Sequence, residues 1–339
     1  MSQQIAVQVT GKDGKLTDNV EDNLQITKTP VPAPQDGEVL VRVRYRPVNP
    51  SDVYRLIDMP GRGPTNLPFV PGLEGYGEVE ESGPGTSGNY KKGDRVVAVP
   101  WPSRETGMGT WQQYVAVPEK NLVRVPDPID SKAASQFLVN PVTAFGLVDD
   151  MAVPEGKWLL QTAAGSVLGR MVIALAKKRG VKTINVIRRS EQKQELLDLG
   201  ADEVIATDKE DLVSRVQEIT GGEGAYGALD AVGGKEIGAV LDTIRASGRV
   251  FLYGALGGSE VSYNVIKVIY GAKKVEGWVL FDWLNRGDDA KEKLQKVWDL
   301  FLDGTIQPYT GEVYPLEKAV DAVQASLRVG RGGKVLIEG

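Results

Sequence analysis

The chain has 339 residues, 41% hydrophobic and 25% charged, with a formal net charge of −5 and neither cysteine nor histidine. This composition suits roughly two globular domains with sizeable cores and gives no reason to expect nucleic-acid or anionic-membrane binding. Without thiolates or imidazoles there is no Cys/His zinc site, no Cys or His nucleophile, no Ser–His pair and no His- or Cys-held haem, so proton transfer falls to Tyr, Lys, a carboxylate or water.

No Asp/Glu cluster has a spacing suited to Mg²⁺. The start, Met1-Ser2-Gln3-Gln4-Ile5, lacks a basic segment leading into an apolar run, so no signal peptide is expected. The apolar stretches fall short of the roughly 20 residues that cross a bilayer. The expected compartment is the cytoplasm, or an organelle stroma or matrix after loss of a transit peptide.

In chain order, residues 1–130 carry short alternating segments broken by turn residues. Val39 to Tyr45, Gly77 to Glu80 and Arg95 to Val99 read as half-buried strands, with Pro60 to Pro64 and Gly83 to Gly85 as turns. A mostly antiparallel β domain is expected there.

The pattern then changes near Asp130. Strand candidates Trp158 to Gln161, Thr183 to Ile187, Glu203 to Ala206, Ala228 to Val232 and Arg249 to Tyr253 alternate with helical segments at 167–179, 191–199, 211–219 and 235–244. Repeated βα units predict a doubly wound parallel sheet of the Rossmann type over residues 131–275. Residues 276–339 are expected to return to the first domain, ending in the strand Lys334 to Ile337. Leu294, Val297, Trp298 and Phe301 have the spacing of a core-facing helix stripe.

The first βα turn reads Gln161-Thr162-Ala163-Ala164-Gly165-Ser166-Val167-Leu168-Gly169. Small residues at that place let a strand turn tightly into a helix and bring backbone N–H groups against a diphosphate. The turn is not a full G-x-G-x-x-G, because Ala163 holds the first glycine position. Arg188 follows Gly165 by 188 − 165 = 23 residues, close to the roughly 20 expected for the residue that reads the adenosine ribose. Arg188 and Arg189 suit a 2′-phosphate where an NAD site would place Asp or Glu. The reading is NADPH; a solvated basic turn is the alternative.

Together with Asn49-Pro50-Ser51-Asp52, Pro71-Gly72-Leu73-Glu74-Gly75-Tyr76-Gly77, Lys92-Gly93-Asp94-Arg95-Val96, Asn140-Pro141-Val142-Thr143-Ala144-Phe145 and Gly200-Ala201-Asp202, these features resemble the medium-chain dehydrogenase/reductase superfamily over essentially the whole chain. Zinc alcohol dehydrogenases of that group carry a histidine where this chain has Leu73, so the resemblance is to the zinc-free branch. It is strongest to mitochondrial-type enoyl-thioester reductases, through Thr183 to Arg189 and Asp230-Ala231-Val232-Gly233-Gly234, with quinone and double-bond reductases next.

The resemblance implies a GroES-like catalytic domain beside the Rossmann domain and a set of cofactor contacts. Asn140 and Thr143 would lie near the cofactor, and Gly165, Ser166, Val167 and Leu168 would wrap its diphosphate. Tyr253-Gly254-Ala255-Leu256 would border the nicotinamide, and Trp278 and Val279 would lie beside it. Lys334 resembles a family lysine near the cofactor. Core packing is an equal reading for Tyr253 and Trp278, and a solvated lysine for Lys334.

The enoyl-thioester reductases place a tyrosine where this chain has Ile57-Asp58-Met59-Pro60-Gly61. Tyr54 has instead the spacing seen in quinone and double-bond reductases. Tyr54 is therefore the candidate proton donor, with a packed aromatic as the alternative, and Asn49 the candidate amide contact. Asp52 is expected to fix the loop.

The implied reaction is hydride transfer from NADPH to the β-carbon of an α,β-unsaturated carbonyl compound, with a donor stabilising the enolate oxygen. Trp101, Trp111, Trp278, Phe281 and Trp283 are candidates for an apolar pocket wall. Quinone reduction and non-catalytic NADPH binding are the competing readings. A homodimer is expected, with Val250 to Trp278 as its interface.

Overall fold

The computed structural model describes residues 2–57, 66–103, 106–328, 330 and 332–339. They form two compact units, Met1–Val139 with Pro308–Gly339, and Asn140–Gln307. Strands β1 (Gln3–Val9) and β2 (Leu24–Pro30) pair antiparallel as a separate ribbon. β3 (Glu38–Pro47), β4 (Tyr76–Ser82), β5 (Arg95–Ala98), β6 (Tyr114–Pro118) and β7 (Leu122–Arg124) build the antiparallel body of the first unit. The alternation of Val39, Val41 and Val43 places a valine row against Val79, Val96, Val115, Val117 and Trp101 in one buried cluster.

The second unit carries β8 (Trp158–Gln161), β9 (Lys182–Ile187), β10 (Glu203–Ala206), β11 (Ala225–Asp230), β12 (Ile244–Leu252) and β13 (Lys274–Gly277). Its described strands run parallel in the order β10-β9-β8-β11-β12-β13. Thr183 to Ile187 are all buried, as expected of a strand covered on both faces. The order reverses between β8 and β11, the switch point at which such sheets bind ligands.

The chain ends with β14 (Thr310–Pro315) and β15 (Lys334–Glu338) in the first unit. β15 pairs antiparallel with β3 and parallel with β14. The fold is α/β: a Rossmann-like parallel sheet plus a separate, mostly antiparallel GroES-like sheet.

The units meet in sequence at 139/140 and 307/308, whereas the sequence reading set the changes after 130 and 275. Residues up to Val139 stay with the first unit partly because the backbone N–H groups of Leu138 and Val139 bond to Glu74. Trp278 and Trp283 stay with the second because they stack with each other and Trp283 packs edge-on against Phe145, at centroid distances of 6.0 and 5.9 Å. Two of the proposed pocket aromatics are core instead: Trp101 and Trp111 are 1% and 0% exposed within the hydrophobic clusters of the first unit.

Candidate active site

The site residues fall in two groups, one in each unit. In the first unit, Asn49 precedes a short helix, Pro50–Leu56, whose first turn opens on proline, where its missing N–H costs nothing. Asp52 closes the turn: its carboxylate accepts the Asn49 backbone N–H at 3.0 Å and the Leu73 N–H at 3.0 Å. This is the loop-fixing role expected of it.

The Asn49 side chain does not cap the helix. Its Nδ2 donates to Glu74 Oε1 at 2.8 Å, and its Oδ1 accepts from Lys334 Nζ at 2.7 Å. Lys334 lies 285 residues away in sequence and only 3% exposed, so it is not a solvated lysine. Glu74 Oε2 accepts the backbone N–H groups of Leu138 and Val139 at 2.9 and 2.8 Å.

Burial pushes the Asp52 carboxyl up to about 6 and the Glu74 carboxyl up to about 7, against the pull of their N–H donors and of Lys334. Tyr54, on the same helix, is half-buried with its hydroxyl inside the protein. The position expected of the family tyrosine, residues 58–61, and the turn Pro60 to Pro64 lie outside the described residues.

In the second unit, the turn after β8 meets the backbone demands of a phosphate loop. Ala163 stands at φ 49°, the left-handed conformation that the first glycine of the fingerprint normally supplies. Ser166 caps the helix Val167–Lys178, its hydroxyl accepting the Gly169 N–H at 3.0 Å. Leu168 is buried, and Val167 and Gly165 are half-buried.

Gly169, quoted in the sequence as the end of this turn and given no role, follows Gly165 by four residues where the fingerprint has three. A Cβ there would stand 2.5 Å from the Ala164 carbonyl oxygen and 2.7 Å from its Cα, so only glycine permits this helix–strand approach.

Asp230 ties the strand ends together. It accepts the Thr162 hydroxyl at 2.5 Å and the backbone N–H groups of Val232 and Gly233 at 3.1 and 3.0 Å. Asn140 Nδ2 and Tyr253 Oη are among the buried polar atoms of this unit that have no hydrogen-bond partner among the described residues. Burial, with Asp230 nearby, raises the Tyr253 hydroxyl above its ordinary range, so it stays neutral. Asn140 lies in a π-helical segment, Leu138–Val142, a form enriched at functional sites, and Thr143 follows it, also buried.

Arg188 and Arg189 are exposed at the carboxyl end of β9, and the Ser190 beside them is held by Asp208. Gly254 and Ala255 are half-buried and Leu256 exposed. Trp278 is 4% exposed, donates its indole N–H to Asp150 at 3.0 Å and packs on Trp283, while Val279 is exposed. For Trp278 these contacts are those of a packed core residue. Among the described residues no group of three or more acidic side chains is placed to hold a metal ion.

Glu74 is the functional-looking residue that the sequence reading quoted without a role. Its signal was a carboxylate in a run of glycine and apolar residues, beside the Leu73 that stands at a zinc-ligand position.

Comparison with known proteins agrees with this geometry. Residues 35–127 match the alcohol dehydrogenase GroES-like domain, and residues 167–303 match the family described as zinc-binding dehydrogenase. The mitochondrial enoyl-[acyl-carrier-protein] reductase of Arabidopsis thaliana is 32% identical over 314 residues, covering 89% of this chain and 81% of that protein. That of Xenopus tropicalis is 32% identical over 313 residues, covering 89% and 87%.

Among solved structures, a candidate NADPH:quinone reductase of Bacillus thuringiensis is 29% identical and superposes with a TM-score of 0.89 over 100% of both chains. A quinone oxidoreductase of Pseudomonas syringae is 25% identical with a TM-score of 0.86, covering 99% of this chain and 100% of that one. The chain therefore belongs to the medium-chain dehydrogenase/reductase superfamily, in the zinc-free branch that holds the enoyl-thioester and quinone reductases.

Proposed function

We propose that the chain is an NADPH-dependent reductase of carbon–carbon double bonds conjugated to a carbonyl, acting on enals, enones or enoyl thioesters. The observation that carries this reading is the Lys334–Asn49–Glu74 array. A buried amide held between a cation and a carboxylate offers a fixed hydrogen-bond donor, in a chain with no Cys or His to polarise a substrate.

The second unit fits a phosphorylated dinucleotide. The left-handed Ala163, the closeness enforced at Gly169, the unpartnered Asn140 Nδ2 and Tyr253 Oη, and the exposed Arg188 and Arg189 are what such a ligand requires. NADPH, when bound, supplies hydride to the β-carbon. Gly165, Ser166, Val167 and Leu168 would hold its diphosphate, Arg188 and Arg189 its 2′-phosphate, and Asn140, Thr143 and Tyr253 its nicotinamide side.

The chain's own groups do the rest. The Asn49 amide donates to the carbonyl oxygen as it gains charge, and Tyr54 or a water delivers the proton to the α-carbon. No Lewis acid is needed, because conjugation already makes the β-carbon electrophilic.

A quinone is the second reading, favoured by the likeness to quinone oxidoreductases at TM-scores of 0.86 and 0.89. NADPH oxidation with 2-hexenal, cyclohexenone, a crotonyl thioester and 1,4-naphthoquinone separates the readings. The alkenes are expected to turn over with higher kcat/KM. Turnover of the quinone alone would replace the proposal, and bound NADPH with four silent substrates would mark a non-catalytic binder.

The assembly proposed is a homodimer through the edge of the parallel sheet, and the compartment the cytoplasm or an organelle matrix. Among the described residues no helix is long and apolar enough to cross a membrane.

A further inference from the structure

Asn49 is bracketed in a way that leaves little freedom to its amide. On one side stands Glu74, which once ionised only accepts, on the other an ammonium that only donates. A flipped amide would set its oxygen against Glu74 and its NH₂ against Lys334, two repulsive contacts in place of two bonds of 2.8 and 2.7 Å.

Asn49 is 0% exposed, Glu74 1% and Lys334 3%, so no solvent softens that choice. Glu74 is itself immobilised. Its other oxygen takes two backbone N–H groups, and its own carbonyl accepts the Thr110 hydroxyl at 2.7 Å. One hydrogen of the Asn49 NH₂ is spent on Glu74. The amide's other N–H makes no hydrogen bond among the described residues, and the amide oxygen is already engaged by Lys334.

We infer that Glu74 is a positioning residue, which with Lys334 locks Asn49 into presenting one hydrogen-bond donor and no acceptor to whatever occupies the site. The inference rests on the proposed reductase activity and narrows it. The group that Asn49 addresses is an acceptor, such as a carbonyl oxygen gaining enolate charge, and a hydroxyl or amine donor is rejected there.

The test is a double-mutant cycle on E74Q and N49A in the full chain, with the best substrate of the panel above. Glutamine at 74 must turn its NH₂ towards either Asn49 or the two backbone N–H groups, so either the bond from Asn49 or the anchoring of residue 74 by Leu138 and Val139 is lost. E74Q is expected to lower kcat roughly 10- to 100-fold, the scale of a misplaced catalytic contact, while the Kd for NADPH by fluorescence titration stays within about threefold.

In the N49A background the same substitution should change kcat by less than about threefold, because the residue through which Glu74 acts is gone. Equal losses in both backgrounds, or an E74Q with wild-type kcat, would overturn the inference alone. Wild-type kcat in N49A would overturn the active-site reading of Asn49 and the inference with it. If E74Q does not fold by circular dichroism, K334M breaks the bracket at its other end, and the same cycle with N49A decides.

Discussion

Arg188 and Arg189 follow a strand that is buried from Thr183 to Ile187, and these two adjacent exposed guanidinium groups have no ion-pair partner among the described residues. Arg188 follows the phosphate loop at the distance where dinucleotide sites read the ribose, and the loop that carries both arginines is pinned by the bonds from Ser190 to Asp208. A charge-assisted hydrogen bond to phosphate contributes about 1.5–3 kcal/mol, so losing both arginines costs at least tenfold in affinity. The expected outcome for R188A/R189A is an NADPH KM raised roughly 10- to 100-fold with the NADH KM within about threefold. An unchanged NADPH KM would show that the two form only a solvated turn.

These arginines were legible in the sequence because a charged pair after a β-branched run is a local signal. The Asn49–Glu74–Lys334 array was not. Asn49 and Lys334 are 285 residues apart, and nothing local tells a buried lysine from a solvated one. Their meeting depends on β15 pairing with β3, which brings the chain's last strand beside the residues leading into Asn49.

At the level of elements, the βα alternation was readable because β8, β9 and β10 are short segments whose apolar residues cluster between turn residues, and all but the first residue of each is buried. β1, β2, β6, β7, β13 and β14 were missed. β2 and β13 are short or edge segments in which threonine, lysine and glutamate dilute the apolar pattern, the composition that guards sheet edges. Two helices begin later than read, because the 3₁₀ turns Ser190–Gln192 and Gly234–Glu236 precede them.

The junction of β8 with the helix Val167–Lys178 carries its own prediction. A Cβ at Gly169 meets backbone atoms that cannot rotate away, so G169A is expected to cost about 1–3 kcal/mol of stability and to weaken NADPH binding as the loop shifts. Thermal unfolding and fluorescence titration check this, and a variant with unchanged Tm and Kd would remove the glycine from the site.

The opposite edge predicts assembly. The helix Val265–Tyr270 buries none of its residues, and Val265, Ile266, Ile269 and Tyr270 are 56%, 56%, 62% and 85% exposed beside the edge strand β13. Light scattering after gel filtration should give twice the 36.6 kDa chain mass for the wild type and a single chain mass for I269E/Y270E. A monomeric wild type would leave this face without the proposed role.

For the whole molecule, the absence of histidine has a thermodynamic consequence. No side chain with an ordinary pKa changes charge between pH 5 and 8. The carboxyls of Asp94, Glu119, Glu195, Glu210, Asp211, Asp289 and Asp303 are lowered from their ordinary values by their hydrogen bonds and ion pairs. Asp52 and Glu74 are raised by burial to about 6 and about 7, from 3.8 and 4.5.

The folded protein therefore holds protons that the unfolded chain would release. The stability from these two groups is complete below about pH 4 and is lost as pH rises through about 6 and 7. Arg55 and Lys334 oppose the Asp52 shift and Lys334 opposes that of Glu74, while the negative charge of Asp52 enlarges the Glu74 shift.

The Tm of the wild type is thus expected to fall from pH 5 to pH 8, and E74Q, which cannot ionise at that position, to fall less steeply. A wild-type Tm that rises across this range, or an E74Q slope equal to the wild type's, would mean that Glu74 is already ionised well below neutrality. If the slopes differ as expected, the carboxylate that holds Asn49 forms at a cost to the fold, and burial at the site is maintained against stability.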